Sequence, residues 1–208
     1  MVDRQYEELL PSKVSKRSML QSIEKIRKKV ISCEKCDLCE TRTNAVPGKG
    51  NYKAEIMFVG EAPGRNEDRE GEPFVGSAGK KLTVALEQAG LSKNSVYITN
   101  VVKCRPPNNR QPNEQEKDSC SEYLSRELEL IKPKIICILG NTAYASLLGE
   151  KGITKDHGKI VKKGKRLYFI TFHPAATIYN PKLFRNFKLD IKRLVRTLAK
   201  IKKTGRGF

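Results

Sequence analysis

Four short apolar runs, AEIMFV (54–59), SVYITNVV (95–102), KIICIL (134–139) and RLYFITF (166–172), punctuate the chain. Each is the length of a strand and too short for a helix, and their β-branched and aromatic content suits a buried sheet. Helical patterns occupy 77–90, 113–131 and 141–149 between them, and a last amphipathic helix follows at about 182–201. Ahead of the first strand, residues 14–30 set Met19, Ile23, Ile26 and Val30 at helical spacing among basic residues. Strands that alternate with helices are joined by crossovers, which makes neighbouring strands parallel and covers both faces of their sheet. The expectation is an α/β fold, a three-layer α/β/α sandwich around a central four-stranded parallel sheet. A chain of 208 residues is expected to form one domain over 1–208, with an N-terminal amphipathic helix within 1–30 and a basic, disordered tail at 202–208.

An open parallel sheet binds its ligands outside the carboxyl ends of its strands, so the residues there are the first candidates for chemistry. The first strand runs into Gly60, Glu61, Ala62, Pro63 and Gly64, two glycines and a proline that stiffen a loop carrying one carboxylate. Glu67 follows on the same loop, with Phe74 a little further on. Asn100 lies near the end of the second strand. His173 ends the fourth, where Pro174 holds it extended. Each alone has an ordinary structural reading, an asparagine as a cap, a phenylalanine as core, a histidine as a hydrogen-bonding residue. Their common position is what points to a site.

The loop GSAGKK (76–81) is not a Walker A motif, because Phe74 stands where the first glycine belongs and Lys81 where Ser or Thr should follow Lys80. Ser77 at the cap of the next helix would still suit a backbone phosphate.

The chain carries 41 Lys and Arg against 23 Asp and Glu, a formal charge of +18. Such an excess favours a polyanionic partner. No run of about 18 apolar residues occurs and the first residues do not form a secretory signal, so a soluble, intracellular protein with no membrane association is expected. In that reducing setting the six cysteines are read as packing or metal-binding residues and not as disulfides. Cys137 sits inside KIICIL and belongs to the core. Cys33 and Cys36 form a C-x-x-C pair, and Cys104 and Cys120 stand 16 positions apart. Four thiolates with no nearby histidine suit tetrahedral zinc or an iron–sulfur cluster, and spacing alone favours zinc as the commoner structural metal. Cys39 stays without a role.

The stretches CEKCDLCETRTNAVPGKG, VGEAPGRNED, EPFVGSAGKKL, YITNVVKCRPPNNRQP, Cys120 and FHPAATIYNP stand in one order and spacing over about residues 30–195. Together they resemble the family 4, thermophilic uracil-DNA glycosylases of the uracil-DNA glycosylase superfamily. Lys, Glu and Ile richness is compatible with a thermophile. The resemblance implies a monofunctional enzyme that removes uracil from single- or double-stranded DNA in base excision repair. It implies a [4Fe–4S] cluster on Cys33, Cys36, Cys104 and Cys120, with a structural role, and so displaces zinc.

The resemblance also implies a uracil pocket near Gly60 and Ala62. Phe74 would stack on the flipped base and Asn100 would read it, accepting from N3–H and donating to O4. Glu67 would crowd the C5 position against thymine, and His173 would hydrogen-bond O2 as negative charge develops there. The aspartate of the family 1 pattern aligns with Ala62, which leaves Glu61 as the candidate for positioning water or for electrostatic stabilisation of the oxocarbenium-like sugar. HPAATIYNP resembles a DNA-intercalation loop, with Ile178 and Tyr179 as wedge candidates. Ser77, Lys80, Arg105, Arg110 and Lys159 are candidate phosphate contacts. A monomer is expected, with Phe208 a docking residue for a sliding clamp if the tail is ordered by one. The competing reading is a non-catalytic, metal-stabilised DNA-binding module related to phage polymerase domains; a third shifts the base preference to hypoxanthine or mismatched thymine.

Overall fold

The computed structural model describes residues 16–204. In chain order its elements are α1 (Lys16–Ile31), α2 (Leu38–Thr41), β1 (Lys49–Gly50), β2 (Ile56–Gly60), α3 (Arg65–Glu70), α4 (Ser77–Glu87), β3 (Tyr97–Asn100), α5 (Glu114–Ile131), β4 (Ile135–Leu139), α6 (Asn141–Leu148), α7 (Ile153–Asp156), β5 (Ile160–Lys163), β6 (Arg166–Thr171) and α8 (Pro181–Thr204). The four expected strands are β2, β3, β4 and β6, and they form the parallel centre of a sheet ordered β1-β3-β2-β4-β6-β5. The sheet is wider than expected. β1 pairs with β3 and β5 with β6, both antiparallel, so the sheet has six strands.

Every residue of β2, β3 and β4 is buried, as strands covered on both faces must be. β5 is different. Its sequence, IVKK, ends in two exposed lysines, which keep a sheet edge from recruiting another strand.

From β2 the chain moves outward to β3, then returns across β2 to β4 and continues to β6. Right-handed crossovers therefore put α4 on one face and α5 and α6 on the other. α1 packs on α5 through buried Ile23, Ile26 and Val30, while α8 packs on α4. The reversal leaves a topological switch point between the carboxyl ends of β2 and β4, where such sheets open a binding crevice.

Three expectations change. Glu67 lies on α3, a six-residue helix, and not on an irregular loop. Gly76, not Ser77, occupies the cap position of α4, and Ser77 is its first residue. The tail at 202–204 is the last turn of α8, where Lys202 Nζ meets Glu55 Oε2 at 2.8 Å. Residues 1–15 of the expected N-terminal segment, and Phe208, lie outside the described residues.

Candidate active site and cysteine cradle

A cavity of about 390 Å³ opens at the carboxyl ends of β2, β3 and β6, within the ~300–1,000 Å³ typical of ligand sites. Its lining includes Glu61, Ala62, Glu67, Phe74, Asn100 and His173, the side chains singled out from the strand ends. Gly60 underlies it. A Cβ there would lie 2.4 Å from Asn100 Oδ1 and 2.8 Å from Phe74 Cζ, so only glycine lets those two side chains meet at the end of β2.

Phe74 is held in place by several groups. Its backbone is left-handed at φ 53°, an uncommon conformation for a bulky residue. The carboxylate of Glu67 accepts the next two amides, Val75 N at 3.0 Å and Gly76 N at 2.8 Å, and Gly64 N at 3.2 Å. Lys93 Nζ donates to the Phe74 carbonyl at 2.8 Å. The ring then faces His173 with centroids 5.8 Å apart.

Two atoms of the site are conspicuous. Among the described residues, Asn100 Oδ1 and His173 Nε2 are the buried side-chain atoms that have no hydrogen-bond partner. Although part of His173 reaches the surface, Nε2 does not. Its Nδ1 accepts the Ala175 amide at 3.2 Å, so a neutral ring carries its proton on Nε2. Burial pushes the imidazole down to about 4, which keeps it neutral near pH 7. An unpaired acceptor and an unpaired donor thus line one cavity, where each lacks the partner that buried polar atoms normally have.

Glu61 is anchored from the far side of the switch point. Thr142 Oγ1, at the start of α6, donates to its Oε2 at 2.5 Å. Sequence reasoning missed Thr142, although its place just after the β4 run, in GNT, was open to the same strand-end argument.

Around the mouth, Tyr179 is 94% exposed, while Ile178 is half-buried. Arg105 Nε donates to Asn109 Oδ1. Arg110 lines the cavity, but its guanidinium grips Glu116 through both terminal nitrogens at 2.9 and 2.6 Å, supporting the capping box of α5. Ser77 and Lys80 are exposed on α4 and do not line the cavity. Lys159 pairs with Asp156 at 2.8 Å, also away from it.

The cysteines gather elsewhere. Cys33 and Cys36 precede α2, Cys104 follows β3, and Cys120 lies on α5. They are electrostatic neighbours: burial pushes the Cys104 thiol up, with smaller contributions from Cys36 and Cys33, and burial carries the Cys120 thiol to about 11, with smaller contributions from Cys104 and Cys36. Arg42 Nη1 reaches Cys104 Sγ at 3.0 Å, and the Lys103 amide reaches Cys120 Sγ at 3.4 Å. Cys39 is a neighbour of Cys36. Among the described residues, no group of three or more His, Cys, Asp or Glu stands as a ready single-ion site. Cys137 is fully buried in β4, as expected.

A six-stranded doubly wound sheet whose strand ends bring a histidine, an asparagine and a phenylalanine to one cavity defines the class, an α/β protein with its candidate site outside the carboxyl ends of its strands. The Uracil DNA glycosylase superfamily pattern matches residues 47–198. The chain is 54% identical over 190 residues to the type-4 uracil-DNA glycosylase of Sulfurisphaera tokodaii, covering 86% of each chain. It is 48% identical to that of Archaeoglobus fulgidus, covering 84% of this chain and 92% of the relative, and 46% to that of Saccharolobus solfataricus, covering 86% and 88%. The chain belongs to the uracil-DNA glycosylase superfamily. No helix among the described residues is long and apolar enough to cross a membrane.

Proposed function

We propose that the chain excises uracil from DNA, drawing the flipped nucleotide into the cavity between Phe74, Asn100 and His173 and hydrolysing its glycosidic bond. The carrying observation is the unpaired couple Asn100 Oδ1 and His173 Nε2. Uracil presents an N3–H donor and an O2 acceptor on adjacent edges, the complement of those two atoms. Cytosine lacks the N3–H, so it would leave Asn100 Oδ1 buried without a partner, and such mismatches discriminate strongly.

Bond breaking moves the electron pair of C1′–N1 onto the base and leaves positive charge on the sugar. The Nε2–H of neutral His173 hydrogen-bonds O2, and that bond strengthens as the oxygen becomes anionic. Phe74 stacks on the ring. Glu61, with one carboxylate oxygen held by Thr142, orients the water that adds to C1′ or opposes the sugar's charge. Free uracil and an abasic site are the products, and no lysine takes part as a nucleophile. Tyr179 and Ile178 fill the gap in the stack, and basic residues such as Lys80 and Arg105 meet phosphates.

Cys33, Cys36, Cys104 and Cys120 would hold a [4Fe–4S] cluster. Four thiols without histidine, with N–H donors from Arg42 and Lys103 on two of the sulfurs, are a donor set suited to one. When bound, it ties the segment around α2 to β3 and α5. The chain then acts as a monomer.

The test is release of uracil from uracil-containing DNA without added metal, scored by alkaline cleavage at the abasic site. Cleavage by the wild type and its loss in Asn100→Ala and His173→Ala is the expected result. DNA left intact to alkali by the wild type would return the chain to a non-catalytic binding module.

A further inference from the structure

Lys103 and Glu127 form an ion pair that the chemistry above does not use, and each side chain is only 1% exposed. An ion pair this deep is a poor way to gain stability, because desolvation offsets its attraction and apolar residues of similar volume often serve as well. What it does provide is fixed geometry. Lys103 Nζ spends all three protons, on Glu127 Oε2 at 2.8 Å, Thr99 Oγ1 at 2.6 Å and the carbonyl of Asn100 at 2.8 Å. Glu127 is equally engaged: Oε2 accepts Thr99 Oγ1, and Oε1 accepts Gly48 N at 3.1 Å and the Tyr97 hydroxyl at 3.2 Å.

The pair therefore grips β3 at Tyr97, Thr99 and Asn100. Across the sheet, Val101 N and Val102 N donate to the carbonyls of Gly60 and Glu61, so the backbone after Asn100 is pinned to the other wall of the pocket. Lys103 also joins the cysteine cradle, since its amide reaches Cys120 Sγ and its carbonyl accepts Val46 N at 2.7 Å.

We infer that the Lys103–Glu127 pair is a positioning device for Asn100, setting the carboxamide for uracil by clamping its peptide from beneath. This rests on the reading of Asn100 as the group that meets the base.

The test measures binding of the whole protein to a duplex carrying 2′-fluoro-2′-deoxyuridine, whose glycosidic bond resists cleavage, against the same duplex with thymidine. It compares wild type, Asn100→Ala, K103M/E127L, and the triple variant. The paired replacement leaves no lone buried charge, and its fold is checked by thermal melting. K103M/E127Q, which also removes both charges but keeps the shape of the glutamate and an acceptor for the Gly48 amide, serves if that variant does not fold.

The expected result is a loss of about tenfold or more in preference for the uracil duplex in K103M/E127L, with thymidine binding unchanged and no further loss in the triple variant. K103M/E127Q, which likewise frees the Asn100 carbonyl, should give a loss of the same order with the same lack of addition to Asn100→Ala. A folded K103M/E127L or K103M/E127Q with wild-type preference, or losses that multiply with Asn100→Ala, would overturn the inference. If Asn100→Ala itself keeps full preference and uracil release, the pocket reading fails instead.

Discussion

Thr142 and Glu61 join the two strands that flank the switch point, the hydroxyl at the start of α6 donating to the carboxylate that follows β2. A hydrogen bond to a charged group contributes about 1.5–3 kcal/mol. If it serves to aim Glu61 at the sugar, Thr142→Val should lower kcat for uracil release about tenfold and leave KM near wild type. Glu61→Gln should lose at least as much. Single-turnover kinetics on both variants checks this, and a wild-type kcat in each would remove Glu61 from the chemistry.

Asn100→Asp tests how the base is read. A protonated aspartate can donate to cytosine N3 and accept from its amino group, a pattern that the amide cannot offer there. Uracil release should fall and cytosine release should become measurable by chromatography of the free bases. Loss of both activities with no cytosine product would mean that Asn100 supports the pocket without reading the ring.

Much of this site was legible because parallel strands deliver their last residues to one edge. Asn100 and His173 needed only the strand boundaries to be found. Thr142, Lys93 and Glu127 were not found, because their roles depend on which distant backbone group each side chain meets, and no spacing rule encodes that. The edge strands escaped for another reason. β1 has two residues, and β5, IVKK, reads as a polar surface run because an exposed edge is charged to resist pairing. Glu67 was placed at the pocket, but its hold on the amides of Val75 and Gly76 became visible only once α3 had turned it towards them.

That double position makes Glu67 testable by two substitutions. Glu67→Ala should free the strained Phe74 segment and vacate space at the base, lowering uracil kcat/KM about tenfold while thymine release appears. Glu67→Gln keeps the bulk and an acceptor for the Val75 and Gly76 amides, so it should retain thymine exclusion and most uracil activity. Release of each base from matched duplexes checks both; thymine release by Glu67→Gln would show that charge excludes thymine and bulk does not.

His173 predicts a pH signature. Its folded pKa, about 4, lies below the ~6.5 of an unfolded imidazole. The native state therefore refuses a proton that the unfolded chain binds, and this contribution to stability, complete above pH ~6.5, is lost as pH falls towards 4. His173→Gln should show a shallower loss of melting temperature between those values. Activity should show no break near pH 6.5 from this residue, and His173→Ala should reduce kcat by about 10²-fold or more, the usual effect of removing one preorganised donor. A rate that rises on acidification through pH 6.5 would mean that the imidazolium acts instead.

The cysteines call for a different measurement, because their proposed role is architectural. Cys120 lies on α5, buried, with its thiol pushed up to about 11, so without a metal it is a neutral thiol at neutral pH. A cluster would hold it as thiolate, and its binding energy would then be part of the folding energy. Protein carrying the cluster should be brown with broad absorption near ~400 nm. Cys120→Ala should lose that absorption and melt at lower temperature, while the folded fraction keeps its preference for uracil over thymine. Arg42→Ala leaves all four thiols in place but removes the donor to Cys104 Sγ, so it should keep the colour and shift the cluster's reduction potential. A colourless wild type containing zinc would replace the cluster with a zinc ion on the same thiols, and a Cys120→Ala protein with unaltered melting and colour would take Cys120 out of the cradle.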